Sequence, residues 1–399
     1  MSGRQAVVIG AGPAGLASAA ELGRRGVPAV VFEQASAIGA SWRGRYDRLR
    51  LNTSRWFARL PRTPYAKGTP IFPSRDEVVA YLEAYAGRHA LDVRLDTPVE
   101  RIDRNGTGWI VRTPDADVTA DHVIVAGGYS HTPFVPGWPG RDAFERPLLH
   151  AADYRNPEPF EGGDVLVVGS GCSGMEIAYD LIEGGTRRVR LAVRTSPNIL
   201  VRSPIGPALA LALLRLPPRA ADRIVNVGRR FEVGDLTEYG LPRPEEGVFT
   251  RLRRLGVAPA IVDEEILEAI KERRIEIVAG VESLDATGVR LVDGTRIEPD
   301  AVIAATGYRC GLEPMVGHLD VLDERGVPRV LDGKAAAPGL YFVGYIPIPA
   351  QFGHLGGEAK RAANTIAREV SATRPTPQAR RGQARPDPRG ASRAGRRAA

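Results

Sequence analysis

Cysteine is nearly absent. The 399-residue chain has only Cys172 and Cys310, far apart and outside any C-x-x-C pair. That excludes a disulfide-stapled scaffold and argues against a dithiol redox centre. Long apolar runs are missing too. The longest apolar helix candidate, Ala208 to Leu214, is far shorter than the roughly 20 residues that a bilayer span requires, so no membrane span is expected. The early apolar stretch reads as a strand rather than a signal peptide, and a reduced, cytoplasmic setting is expected. Nor does the body of the chain carry an excess of one charge. The formal net charge is +7, and residues 371–399 account for all of it with eight arginines against one aspartate. This stretch is rich in Arg, Pro, Ala and Gly and lacks apolar periodicity, so it is expected to be a disordered basic tail. With the remainder formally neutral, no nucleic-acid partner is expected. No metal-ligand pattern stands out.

What is present is glycine, in two matching places. Gly10-Ala11-Gly12-Pro13-Ala14-Gly15 follows the apolar run Ala6–Ile9, and Gly169-Ser170-Gly171-Cys172-Ser173-Gly174 follows Val165–Val168. In such a strand–turn–helix unit the first glycine permits a tight turn. The second lets a pyrophosphate approach the backbone, and the third lets the helix lie close to the strand. Free N–H groups at the helix start then hold the phosphates. One G-x-G-x-x-G is weak evidence, but two, each in this context, point to two dinucleotides on one chain.

The strand after each loop separates the two ligands. The first, Ala29–Phe32, ends in Glu33, an acid placed to accept ribose hydroxyls, which suits the adenosine half of FAD. The second, Val189–Val193, ends in Arg194-Thr195-Ser196. A carboxylate there would repel a 2′-phosphate, whereas an arginine followed by two hydroxyls grips one, so NADPH is expected over NADH. The bland alternative for Arg194 is a solvated charge at a strand end.

Further along, Ser74 to Arg88 reads as a helix with a capping box from Ser74 and Glu77. Strands are expected at Asp92–Leu95, Val99–Ile102, Trp109–Arg112 and Val123–Val125, the last running into Ala126-Gly127-Gly128. Val302–Ala305 and Leu340–Val343, which runs into Gly344, read as buried strands, and Glu358–Val370 as a closing helix. Pro207–Leu216 reads either as a buried helix or as a passage lining. The expected fold class is α/β, with two Rossmann-like dinucleotide-binding domains, the second inserted into the first. The FAD domain spans 1–158 and 307–370, the NADPH domain 159–306, and the basic tail 371–399.

Between the two units lies Phe144-Glu145-Arg146-Pro147-Leu148-Leu149-His150-Ala151-Ala152-Asp153-Tyr154. It is similar to the F-x-G-x-x-x-H-x-x-x-(Y/F) pattern of flavin-containing monooxygenases, with Arg146 in place of the glycine. From Arg4 to Val370 the chain resembles that family. Tyr46–Leu51, Phe57–Pro61, Gly174-Met175-Glu176, Gly234–Thr237 and Gly307-Tyr308 resemble its YUCCA-type indole-3-pyruvate branch. In related Baeyer–Villiger enzymes a tryptophan usually stands at the place of Tyr154.

The resemblance implies a monooxygenase using FAD, NADPH and O2 on a small organic substrate. Its reduced flavin would form a C4a-(hydro)peroxide, leading to N- or S-oxygenation or to oxidative decarboxylation of an aryl 2-oxo acid. Asn52 stands where other flavin monooxygenases carry an asparagine beside the reactive flavin edge and where many plant members have His. It is the candidate catalytic residue, a donor that takes no proton, with a turn-capping side chain as the alternative. Trp42 and Arg43 are expected against FAD, Gly344 with Gly356 and Gly357 near the flavin pyrimidine end, and His150 and Tyr154 at the hinge. Competing readings are an NADPH oxidase or reductase that releases hydrogen peroxide, a Baeyer–Villiger-type oxygenation of a ketone, and a non-catalytic flavoprotein.

Overall fold

The structure, a computed structural model, describes residues 4–346 and 351–373. Two sheets carry it, the second wholly parallel and the first parallel except for its edge strand Ala335–Ala337 and an appended antiparallel pair. The first runs in the order Ala335–Ala337, Leu340–Phe342, Asp117–Val125, Arg4–Ile9, Ala29–Phe32, Asp92–Arg94. An antiparallel pair, Arg101–Asn105 with Gly108–Arg112, hangs from Asp117–Val125. The second runs Ile275–Ala279, Arg188–Val193, Asp164–Val168, Ala301–Ala304, Leu148–His150, all parallel. Parallel strands covered on both faces need unbroken apolar sequence. Asp164–Val168 and Ala301–Ala304 are accordingly buried at every position. The buried charges among these strands, Asp164 and Arg190, neutralise each other at 2.5 Å.

The α/β class with two parallel-sheet units agrees with the sequence reading. The first sheet draws strands from both ends of the chain, the second from the middle. The second sheet also takes in Leu148–His150, ahead of the expected division at residue 159, because Leu148 and Leu149 pair with Val302 and Ile303. The chain crosses between sheets twice, and the two crossings lie side by side as an antiparallel ribbon of Thr132–Pro133 with Tyr308–Arg309.

Helix Pro13–Gly23 owes its place to small residues. Ala14, Ala17 and Ala19 are buried beside Ala359, Ala362 and Ala363 of the closing helix in one cluster. Helix Arg75–Arg88 begins as expected, with the Ser74 N–H donating to the Glu77 carboxylate at 2.7 Å and the Glu77 N–H to Ser74 Oγ.

Three expectations are corrected. The closing helix spans Gln351–Thr373. It therefore starts well before Glu358, encloses Gly356 and Gly357, and takes in the first residues of the expected tail. The rest of that tail lies outside the described residues. Glycine lowers helix propensity, but at Gly356 close packing requires it: a Cβ there would sit 2.8 Å from the Pro61 ring. The third concerns Gly206–Leu213, which forms a helix on the surface, not in the core. Only its Pro207 and Leu213 are buried, and Leu209 is 52% exposed.

Candidate functional site

The two glycine loops adopt the same geometry. Gly10 and Gly169 both have left-handed backbones, φ +101° and +113°. A Cβ on Gly10 would lie 2.9 Å from the Ala126 carbonyl oxygen, and one on Gly169 would lie 2.5 Å from that of Ala305. The third glycines are tighter. Cβ atoms on Gly15 and Gly174 would each fall 1.8 Å from the carbonyl oxygen of the first glycine of their own loop. The middle glycines differ in kind: a Cβ on Gly12 or Gly171 would meet nothing within 4 Å. Gly12 and Gly171 are also the N-caps of helices Pro13–Gly23 and Cys172–Glu183, and neither offers a capping side chain. Each loop thus presents an open backbone face under a helix N-terminus, the cradle a pyrophosphate requires. Ala14 is buried in the first turn of its helix and Ser173 half-buried in the first turn of the other.

Around the first loop the expected residues converge at the C-terminal end of the sheet. Glu33 is nearly buried, its carboxylate accepting the Ala11 N–H at 2.7 Å and the Ala35 N–H at 3.0 Å. Gly127 follows Ala126, beneath the Tyr345 hydroxyl. Gly344 has φ +94°, and a Cβ there would lie 2.8 Å from Ala14 Cβ. Its N–H donates to Glu358 Oε2 at 2.9 Å. Trp42 is half-buried and meets Phe352 edge-on, ring centres 5.6 Å apart. Arg43 is not drawn in: it is exposed and paired with Glu83 on helix Arg75–Arg88.

Around the second loop, Arg194 and Thr195 lie exposed beyond the strand end, while Ser196 is buried and donates its hydroxyl to the Pro242 carbonyl. The sequence reading missed Arg251. Its Nη1 donates to the Ser196 carbonyl at 2.8 Å. It lines a cavity of about 120 Å³ together with Ser170, Gly171, Thr195 and Asn198. Cys172 accepts the Ile261 N–H at 3.3 Å, and burial pushes its thiol up to about 11. Cys310 is also free and buried, its thiol likewise raised to about 11.

His150 and Tyr154 sit where the sheets meet. His150 Nδ1 accepts the Ala152 N–H at 3.0 Å, which leaves Nε2 protonated to donate to the Gly307 carbonyl at 3.0 Å. Burial lowers its pKa, so the ring is held neutral. Its ring meets Tyr308 edge-on at 4.9 Å. Tyr154 donates to Asp180 at 2.8 Å.

Asn52 faces the second unit. Its Oδ1 accepts from Arg202 Nη2 at 3.1 Å, and the same Nη2 meets Glu176 Oε1 at 2.6 Å. The Tyr46 hydroxyl donates to the other Glu176 oxygen at 2.5 Å. Arg202 Nη1 lies 3.2 Å from Asp263. Burial lifts the Glu176 carboxyl above its ordinary range, against the pull of Arg202 and of the Tyr46 hydroxyl. Glu176 was read from sequence only as part of a family-like segment, and nothing in the spacing linked it to Arg202.

A family described as pyridine nucleotide-disulphide oxidoreductase matches residues 7–204. The indole-3-pyruvate monooxygenase YUCCA1 of Oryza sativa subsp. japonica is 36% identical over 351 residues, covering 85% of this chain and 86% of its own. The probable indole-3-pyruvate monooxygenase YUCCA1 of Arabidopsis thaliana is 33% identical, covering 85% and 84%. A flavin-containing monooxygenase from Stenotrophomonas maltophilia shares the fold, with a TM-score of 0.72 at 23% identity over 93% of this chain and 100% of that one.

Proposed function

The chain belongs to the flavin-containing monooxygenase family, as a relative of the YUCCA proteins, and is an FAD- and NADPH-dependent oxidoreductase; from that premise we propose that its substrate is an aryl 2-oxo acid, which it decarboxylates oxidatively. One oxygen atom of O2 enters the new carboxylate and the other leaves as water. The old carboxylate leaves as CO2, and NADPH plus a proton supply the two electrons and the hydrogens. The observation that carries this reading is that relatives at 31–37% identity are indole-3-pyruvate monooxygenases by name.

The chain's own residues divide the work. The open faces of Gly12 and Gly171 suit two pyrophosphates. The loop Gly10–Gly15 with Glu33, Gly127 and Gly344 would hold FAD. Gly169–Gly174 with Arg194, Thr195 and Arg251 would hold NADPH, the two guanidiniums serving the 2′-phosphate. When bound, NADPH supplies a hydride and the reduced flavin supplies the electrons that activate O2. Asn52, at the junction of the sheets, would donate a hydrogen bond at the flavin edge. The neutral His150 ties the crossing ribbon to the second sheet and fixes how the two halves face each other.

A dithiol mechanism does not fit. Neither cysteine is bonded, and both thiols are pushed far above neutral pH. The free cysteines suit a reducing, cytoplasmic setting. The decisive assay incubates the FAD-loaded protein with NADPH, air and indole-3-pyruvate, and measures NADPH consumed, indole-3-acetate formed and hydrogen peroxide released. One indole-3-acetate per NADPH is expected. One peroxide per NADPH with this substrate, and with amines and sulfides as well, would replace the proposal with an NADPH oxidase.

A further inference from the structure

An arginine side chain has five N–H donors and no acceptor. Whatever part of a carboxamide faces it must therefore be the oxygen. Arg202 Nη2 lies 3.1 Å from Asn52 Oδ1, so the Asn52 –NH2 group is turned away from the guanidinium. Flipping the amide would lose a charge-assisted bond and set donor against donor.

The guanidinium is itself fixed. Glu176 holds it at 2.6 Å, Asp263 faces its other nitrogen at 3.2 Å, and Tyr46 occupies the second Glu176 oxygen at 2.5 Å. The Arg202 and Glu176 side chains are 5% and 6% exposed. Two carboxylates occupy the Arg202 Nη1 and Nη2 atoms, while its buried Nε has no partner. A second peg lies two residues further along both segments, where Ser54 Oγ donates to the Pro204 carbonyl at 3.0 Å. The Asn52–Ser54 loop comes from the first unit and Arg202–Pro204 from the second, so both bonds exist only when the two units are docked.

We propose that Arg202 is a positioning residue, anchored by Glu176 and Tyr46, that holds the Asn52 carboxamide with its –NH2 rather than its oxygen toward the flavin edge. This rests on the reading of Asn52 as the flavin-edge donor. It makes the donor conditional on domain docking.

The test uses the full-length, FAD-loaded protein with NADPH, air and indole-3-pyruvate as the probe. The variants are Asn52→Ala, the pair Arg202→Met/Glu176→Gln, which removes the donor without stranding a buried carboxylate, and all three substitutions together. Two quantities are read: the fraction of NADPH ending as hydrogen peroxide, and the visible absorption bands of the bound flavin before any turnover. Asn52→Ala and the Arg202/Glu176 pair are each expected to raise the peroxide fraction about fivefold, the weight of one hydrogen bond. Both should shift the flavin bands in the same sense, and the triple variant should go no further. Arg202→Lys, which still donates, should recover at least half of the coupling.

If Asn52→Ala uncouples and the Arg202/Glu176 pair does not, or if their effects multiply, Arg202 does not act through Asn52. If Asn52→Ala leaves both readouts at wild-type values, the reading of Asn52 falls and this proposal with it. Should the pair fail to fold, Tyr46→Phe loosens the Glu176 anchor without removing a charge. It should move both readouts the same way by a smaller amount, and wild-type values in that variant would overturn the proposal.

Discussion

Replacing Gly171 with alanine separates cofactor binding from folding. Gly171 has φ −77° and ψ −179°, an extended conformation open to any residue. A Cβ there meets nothing within 4 Å of the protein. The fold should therefore accept Gly171→Ala without strain, and its thermal midpoint should stay level or rise slightly, because the unfolded chain loses freedom. The added methyl, however, projects where a phosphate must approach the backbone. Losing one hydrogen bond to a charged group costs about 1.5–3 kcal/mol, which weakens NADPH binding by about 12- to 150-fold. Gly174→Ala is the opposite case. Its Cβ would fall 1.8 Å from the Gly169 carbonyl oxygen, a backbone atom that cannot swing aside, so folding itself should suffer. Thermal unfolding of the cofactor-free proteins, together with anaerobic NADPH titration followed by flavin bleaching, reads both quantities. Gly171→Ala binding NADPH as tightly as wild type would refute the assignment of the second loop, and Gly174→Ala melting at the wild-type temperature would refute the steric argument.

Arg194→Ala should raise the KM for NADPH about 10- to 100-fold while leaving that for NADH unchanged, since only the former carries a 2′-phosphate; steady-state kinetics with both nucleotides check this, and an equal effect on both would remove Arg194 from phosphate recognition. His150 adds a pH dependence. Its folded pKa lies below the ordinary value because burial disfavours the charged ring, so the unfolded chain takes up the proton first as pH falls. The stability it contributes is complete above the unfolded pKa of about 6.5 and is lost below it, until the folded pKa is passed. His89, His122 and His354, also lowered by burial, act in the same sense. These four histidines should therefore lower the melting temperature between pH 7 and about pH 5, while Glu176, Asp180 and Glu358, whose pKa values burial raises, act in the opposite sense. His150→Gln, which can still accept from Ala152 and donate to Gly307, should fall less steeply, and identical slopes would show that His150 is not held neutral.

The glycine loops were legible because each is a local device. Turn, helix start and preceding strand lie within a few residues, and the steric demand acts within the loop or on the adjacent strand end. Ser74 and Glu77 were legible for the same reason. Ser196 was grouped with Arg194 and Thr195 as a phosphate ligand, yet it is buried and its hydroxyl is turned to Pro242. Arg251 belongs to a helix whose pattern reads as an ordinary surface amphipath, and only the fold carries it beside the second loop. The Arg202–Glu176–Tyr46 group is the extreme case, because it joins three segments that no spacing rule connects. The start of the closing helix was misplaced since Gly353 and Gly356 answer to Phe57 and Pro61, residues far away in the chain.

The first sheet's mixed origin bears on how the protein is made. Strand Asp117–Val125 cannot gain its outer neighbour until Leu340–Phe342 exists, and helix Pro13–Gly23 is only partly covered, by helix Arg75–Arg88, until Gln351–Thr373 follows. At roughly 5–20 residues per second on the ribosome, that helix waits tens of seconds for its alanine partners Ala359, Ala362 and Ala363. The middle of the chain meets no such delay, since the strands of its sheet all emerge within one continuous stretch. The second nucleotide unit can therefore assemble first, whereas the first must wait for residues 340–373.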